Sequence, residues 1–266
     1  MHWVVQEGFD HDPGMVQLKE LLVRYEIPHT LVKVVPFVGE LVPEPQIPDG
    51  EMVFCSGSYS MRHAAKKNGW FPGVFDLEGV AHHPYLNQWS QHMLNDDAVF
   101  STFENVMWVA EENFWKEFFL RPLQDSKVFA GNVFSIDEYN EWRTKVVVLE
   151  EDDGTSLRRD TKVLVSSPKK IHSEFRFFIV NRNVVTASQY KSGNQVLYST
   201  CVDEELIHFA NARAAEWNPA DAYCLDLART PDGIRFVEIN TINSCGLYAA
   251  DVNRLLQAIE TMYVSP

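Results

Sequence analysis

Asp226, Glu238 and Asn240 are the residues of this chain whose types and spacing best suit metal chemistry. They fall on or beside two β-rich runs, Tyr223–Ala228 and Ile234–Ile239, separated by Pro231-Asp232-Gly233. Asp-Gly between β-rich runs is a strong hairpin signal. Glu238 and Asn240 are two residues apart, so both side chains point to one face of the strand. Asp226 on the partner strand comes alongside them. One Asp, one Glu and one Asn carbonyl form a hard, all-oxygen set of the kind Mg²⁺ accepts together with waters and phosphate oxygens. The same spacing fits a solvated polar face on an amphipathic hairpin, and spacing alone leaves both readings open.

Opposite in sign are Arg121 in Phe-Leu-Arg-Pro, Lys127 in Asp-Ser-Lys-Val-Phe and Arg176 in Glu-Phe-Arg-Phe-Phe. An arginine among aromatic neighbours needs an anion to offset its desolvation. A planar guanidinium engages two oxygens at once, which suits phosphate as well as carboxylate. With 37 acidic residues in the chain, and with Glu174 next but one to Arg176, a structural ion pair is as good a reading as a ligand phosphate.

These groups need a scaffold, and 266 residues suffice for one large domain or a few small ones. The chain is 45% hydrophobic and 12% aromatic, enough for a sizeable core. It has no apolar run of membrane-spanning length, and its first residues do not read as a signal peptide. Cys55, Cys201, Cys224 and Cys245 are widely spaced without a C-x-x-C, so reduced thiols and a cytoplasmic location are expected. A formal net charge of −14 argues against binding a nucleic-acid backbone.

The first third alternates β and α. Strands are expected at His2–Gln6, Leu31–Val35 and Met52–Cys55, with helices at Pro13–Tyr25 and Met61–Lys67. This spacing predicts a small parallel sheet with crossover helices. Ser56-Gly57-Ser58 before the second helix reads either as an anion cradle or as an ordinary turn. The adjacent His82 and His83 do not share a face, so they make no joint metal site. Further on, Phe114–Leu120 reads as a strand, and Ser135 with Glu138 as a capping box opening a helix through Trp142. Val146–Leu149 and Thr161–Ser166 read as strands. Glu174–Val180 and Val184–Tyr190 form a hairpin around Asn181-Arg182-Asn183, and Asp203–Trp217 and Ala249–Met262 are helices.

Phe-Leu-Arg-Pro, Ser-Lys-Val-Phe-Ala-Gly, Glu-Phe-Arg-Phe-Phe-Ile-Val and Val-Glu-Ile-Asn, the last preceded by Leu-Asp-Leu-Ala and followed by Asn-Ser-Cys-Gly, together resemble an ATP-grasp ligase. The likeness is to the bacterial and phage-associated branch in which two arginines and one lysine replace the usual lysine pair. It implies an α/β (α+β) fold: a Rossmann-like βα unit over residues 1–100, a central ATP-grasp lobe over 101–168 and a C-terminal lobe over 169–266, with ATP between the two lobes. It implies that Asp226, Glu238 and Asn240 hold Mg²⁺, and that Arg121, Lys127 and Arg176 neutralise the phosphates. Lys191 reaches a phosphate or acyl group, or is simply a solvated strand-end lysine. Asn243 and Ser244 donate to the transferred phosphoryl group, or belong to a plain turn.

The implied reaction joins a small-molecule or peptide carboxylate to an amine through an acylphosphate, releasing ADP and phosphate. Positioning and charge neutralisation carry such chemistry. A kinase-like phosphoryl transferase and a non-catalytic nucleotide-binding module are the rival readings on the same scaffold. One departure from the pattern is a phosphate-covering loop whose single glycine is Gly131, which leaves Arg121 and Lys127 to supply more of the charge.

Overall fold

The computed structural model describes residues 1–36, 38–77, 88–123, 128–149 and 156–264. The chain forms two compact units, one from Met1–Val80 with Ile171–Pro266 and the other from Ala81–Lys170.

The first unit opens with β1 (His2–Gln6), α1 (Pro13–Arg24), β2 (His29–Val34), β3 (Leu41–Val42), β4 (Val53–Ser56), α2 (Met61–Asn68) and β5 (Pro72–Gly73). The sheet order is β3-β2-β1-β4-β5. β1 runs parallel to β2 and β4, as the alternating pattern predicts. Both faces of β1 are apolar, as a covered parallel sheet requires. Trp3 and Val5 join one core cluster and Val4 joins another. Pro13 occupies the first turn of α1, behind the N-cap Asp12.

The second unit holds β6 (Val99–Thr102), α3 (Val106–Glu112), β7 (Glu117–Pro122), β8 (Asn132–Ser135), α4 (Ile136–Arg143) and β9 (Lys162–Ser166). Its sheet order is β6-β9-β7-β8, antiparallel throughout. Phe103, Phe118, Leu120, Tyr139, Val163 and Val165 form the core. The capping box at Ser135 and Glu138 is present in full. Two expectations fail here. Phe114 is no strand residue: it ends the α3 turn at φ 56°, 92% exposed, and the strand begins at Glu117. Val146–Leu149 is not a strand either, because α4 runs on through a π-helical turn at Thr144–Val148. The β-branched run fills that turn by laying Val146 and Val147 on the aromatic core, so packing overrides local β propensity.

The first unit resumes with β10 (Ser173–Val180), β11 (Asn183–Ser192), β12 (Gln195–Ser199), α5 (Glu204–Glu216), β13 (Ala222–Thr230), β14 (Gly233–Asn240) and α6 (Val252–Thr261). The sheet order is β12-β11-β10-β13-β14, antiparallel throughout. Asn181 and Arg182 both have positive φ, as the mirror-image turn of a two-residue hairpin loop needs. One sheet face changes character along its length. Phe178, Val180, Ala222 and Cys224 belong to the apolar cluster that also takes in α1 and α6. Glu174, Arg176 and Asp226 continue the same face as buried charge.

Asp12 ties the two ends of this unit together. Its carboxylate accepts from the Gly14 amide at 2.8 Å, from Leu247 at 2.7 Å and from Tyr248 at 3.1 Å. We expect Asp12→Ala to cost roughly 2–3 kcal/mol, since a buried charged acceptor is lost and its amides are orphaned. Asp12→Asn should destabilise as well, because an amide cannot accept at both oxygens. Urea midpoints of the two variants check this; an unchanged midpoint for Asp12→Ala would refute it.

Candidate active site

The register of the final sheet assembles the site. Arg176 on β10 lies opposite Asp226 on β13, and Asp226 lies opposite Glu238 on β14. Three charged side chains thus form a row across three neighbouring strands, on one face. Arg176 and Asp226 make a bidentate pair: Nε donates to Oδ1 at 2.8 Å and Nη2 to Oδ2 at 2.7 Å. Their side chains are 8% and 1% exposed. Glu238 and Asn240 are half-buried, and the Asn240 amide donates to Glu238 Oε1 at 2.9 Å.

The Arg176 partner corrects the nearer alternative read from sequence. Glu174 pairs with Lys191 instead, at 2.7 Å, and accepts from the Tyr190 hydroxyl at 2.9 Å. Lys191 is therefore neither a plain solvated lysine nor directed at open space. The remaining Nη1 of Arg176 faces the Gly246 carbonyl at 3.4 Å and the Tyr248 hydroxyl at 3.5 Å.

Burial pushes the Asp226 carboxyl up to about 6, against the pull of Arg176 and with Glu238 and Glu174 adding to the rise. Burial also pushes the Tyr190 phenol up, with the charges of Asp226 and Glu174 behind it, so Tyr190 stays a donor.

A stack of tyrosines borders the row and has no signal in the sequence beyond residue type. Tyr190 and Tyr198 each stack on Tyr248, with centroids 5.2 and 5.1 Å apart. Arg176 lies 5.1 Å from the Tyr248 ring centre. The Tyr248 ring rests on Gly246, where an added Cβ would stand 2.6 Å from it. Tyr248 and Tyr198 also line a cavity of about 250 Å³ with Phe9, His11, Asp12 and Ser244.

Asn243 and Ser244 diverge. Asn243 is buried with its amide fully engaged: Oδ1 accepts from Phe75 N at 2.8 Å and Thr241 Oγ1 at 3.0 Å, and Nδ2 donates to the carbonyls of Cys55 at 2.7 Å and Gly73 at 3.1 Å. It anchors the loop to the first sheet. Ser244 is exposed at the cavity. Ser56-Gly57-Ser58 is a turn: the Gly57 amide donates to the Asn243 carbonyl at 2.8 Å and the Ser58 amide to Gln6 Oε1 at 2.7 Å. Those amides are thus committed within the protein.

In the second unit Arg121 is half-buried on β7 and donates from Nε to the Pro122 carbonyl at 3.4 Å. Gly131 packs on the same strand, where an added Cβ would meet the Phe119 ring at 2.8 Å and Arg121 Cβ at 3.1 Å. Lys127, His82 and His83 lie outside the described residues. Among the described residues no three His, Cys, Asp or Glu side chains cluster as a ready metal site. The candidate cation ligands are two carboxylates and an amide. Their chemistry fits a hard cation: Glu238 and Asp226 face each other, and Asn240 keeps its carbonyl oxygen while its N–H₂ holds Glu238.

Breaking the buried pair on one side should cost far more than replacing it whole. We expect Arg176→Met to destabilise by about 3–5 kcal/mol, and the double variant Arg176→Met with Asp226→Leu to recover most of that. Denaturant unfolding of the two decides it; a double variant no better than the single would contradict the assignment.

Known proteins share this architecture at low sequence identity. No curated protein matches the chain by sequence. The crystal structure of D-cycloserine synthetase DcsG superposes with a TM-score of 0.63 at 13% identity, covering 97% of this chain and 98% of that one. D-alanine–D-alanine ligase from Bacillus anthracis gives 0.61 at 10%, covering 99% and 93%. The macrocyclase MdnC, bound with precursor peptide MdnA from Microcystis aeruginosa MRC, gives 0.60 at 11%, with 100% of each chain covered. These likenesses share one fold. The model of an ATP-grasp domain, family 3 of the clade named for two arginines and one lysine, matches residues 49–259, and the chain belongs to that family.

Proposed function

We propose that the protein is an ATP- and Mg²⁺-dependent ligase that joins a carboxylate to an amine and releases ADP and phosphate. The observation that carries this reading is the row of Arg176, Asp226 and Glu238 across three strands, flanked by Asn240, in a chain with the ATP-grasp fold. Structural neighbours named as a synthetase, a ligase and a macrocyclase support the ligase class. One of them was solved with a precursor peptide, which supports peptide alongside small-molecule substrates.

In this reading Asp226, Glu238 and Asn240 hold the cation. Bound Mg²⁺ would offset the charge of the triphosphate and polarise its terminal group. Arg176 keeps Asp226 oriented through both its oxygens and places positive charge beneath Tyr248. Ser244 offers a hydroxyl to the transferred phosphoryl group, and Asn243 acts through position by pinning the loop that carries Ser244. Lys191, held by Glu174, stands as a further cation on the sheet. Arg121 and Lys127 are assigned to phosphate by motif and residue type. The substrate carboxylate then attacks the γ-phosphorus to give an acylphosphate, and the amine displaces phosphate. Four free thiols accord with a cytoplasmic protein.

Two outcomes follow. ADP release should require both an acid and an amine and should fall by several orders of magnitude in Glu238→Ala, with the circular dichroism spectrum unchanged. Hydrolysis of ATP untouched by that substitution would overturn the reading, and a phosphorylated product without an amide would turn it into a kinase. Mg²⁺ needs Asp226 ionised, so affinity should be full above pH about 6 and weaken as pH falls through it. Calorimetry in buffers of different ionisation enthalpy should show proton release near pH 6. Binding with no proton release there would remove Asp226 from the ligand set.

A further inference from the structure

Cys224 and Cys245 are far apart in sequence, yet their sulfurs stand 2.9 Å apart. That is inside the roughly 3.5–4.0 Å of ordinary non-bonded contacts and outside the roughly 2.05 Å of a sulfur–sulfur bond. Both are free thiols. Cys224 donates its S–H to the Cys245 sulfur, and Cys245 donates to the Ile242 carbonyl at 3.3 Å. Their surroundings differ. Cys224 is fully enclosed on β13, two residues from Asp226. Cys245 is half-buried and lines the cavity of about 250 Å³, so a small oxidant can reach it. An accessible thiol against an enclosed one is the arrangement in which the first is oxidised and the second resolves it.

We propose that Cys224 and Cys245 are a reversible oxidation site, closed to an intramolecular disulfide by a peroxide entering the cavity. Cys245, as the thiolate, attacks one peroxide oxygen. The O–O bond breaks, Cys245 becomes a sulfenic acid, and the departing hydroxide takes up the thiol proton as water. The Cys224 sulfur then attacks the Cys245 sulfur. The S–O bond breaks, and the hydroxyl leaves with the Cys224 proton as a second water. Two thiols have given up two electrons and one peroxide has become two waters. A dithiol reductant reverses the bond by exchange.

The position gives the bond its consequence. Residues 224 and 245 bracket Asp226, Glu238 and Asn240, so the cross-link closes a covalent ring around the hairpin that carries all of them. It also draws Cys245 toward β13, and with it Gly246, whose carbonyl faces Arg176 and on which the Tyr248 ring rests. Oxidation should therefore stiffen the hairpin and shift the loop that carries Ser244. The effect on turnover rests on the ligase reading; the cross-link itself does not.

The test uses the full chain with Cys201→Ser, which removes the exposed thiol. Cys55 is buried, with its thiol pushed up to about 12 by that burial, and stays as an internal control. The reduced protein is treated with hydrogen peroxide, alkylated and mapped by mass spectrometry without reduction. The expected result is a linked pair of peptides carrying Cys224 and Cys245, split by dithiothreitol. The Tm should rise by about 5 °C, and Mg²⁺-dependent ATP turnover should fall several-fold and return on reduction. Cys245→Ser should abolish the link. Cys224→Ala should leave Cys245 as a sulfenic acid that dimedone captures, which keeps the test valid should the first variant fold poorly. Unlinked Cys224 and Cys245 after peroxide treatment, or no dimedone adduct in Cys224→Ala, would overturn the proposal. Absent turnover in the reduced protein would count against the ligase reading instead, leaving the peptide map to judge the cross-link.

Discussion

The first unit is organised by the cost of putting Arg176 and Asp226 out of water. Each ion loses several kcal/mol of hydration on burial, and only near-ideal geometry offsets that. The bidentate pair meets the requirement, with both carboxylate oxygens accepting at 2.7–2.8 Å. That geometry exists only if β10 and β13 pair in a single register. A slip of one residue would send Asp226 to the face where Leu225 and Leu227 are fully buried. The pair thus acts as a register lock, and the same lock sets Glu238 opposite Asp226. A carboxylate that burial alone would neutralise is kept available for a cation because a fixed guanidinium stands beside it.

How far the sequence reveals this depends on the range of the interaction. The capping box at Ser135 and Glu138 is written within four residues, and the structure has it. The closing hairpin is also local: Asp-Gly between alternating runs brings Asp226 across from Glu238. The partner of Arg176 is 50 residues away, and nothing near Arg176 distinguishes Asp226 from Glu174. Separation along one strand makes Glu174 the nearer candidate, while strand pairing chooses Asp226. The tyrosines are illegible for the same reason. Tyr190, Tyr198 and Tyr248 come from two strands and a loop, and only the folded sheet stacks them. Val146–Leu149 misleads differently: a β-branched run is absorbed into a helix end because the aromatic core beside it needs filling.

Hydrogen-bond capacity separates the residues that build the site from those that act in it. Asp12 and Asn243 are buried and use their polar atoms on named protein partners, so a ligand would have to displace an existing bond. They secure the loop from Thr241 to Tyr248 against the first sheet, one at each end. Between those anchors the loop presents Ser244 and Cys245 to the cavity. The contrast bears on how motif residues are read. Asn243 and Ser244 are adjacent and equally polar, and composition treats them alike. Burial assigns them opposite duties, because a saturated amide can only position its neighbours, whereas an exposed hydroxyl can still meet a substrate.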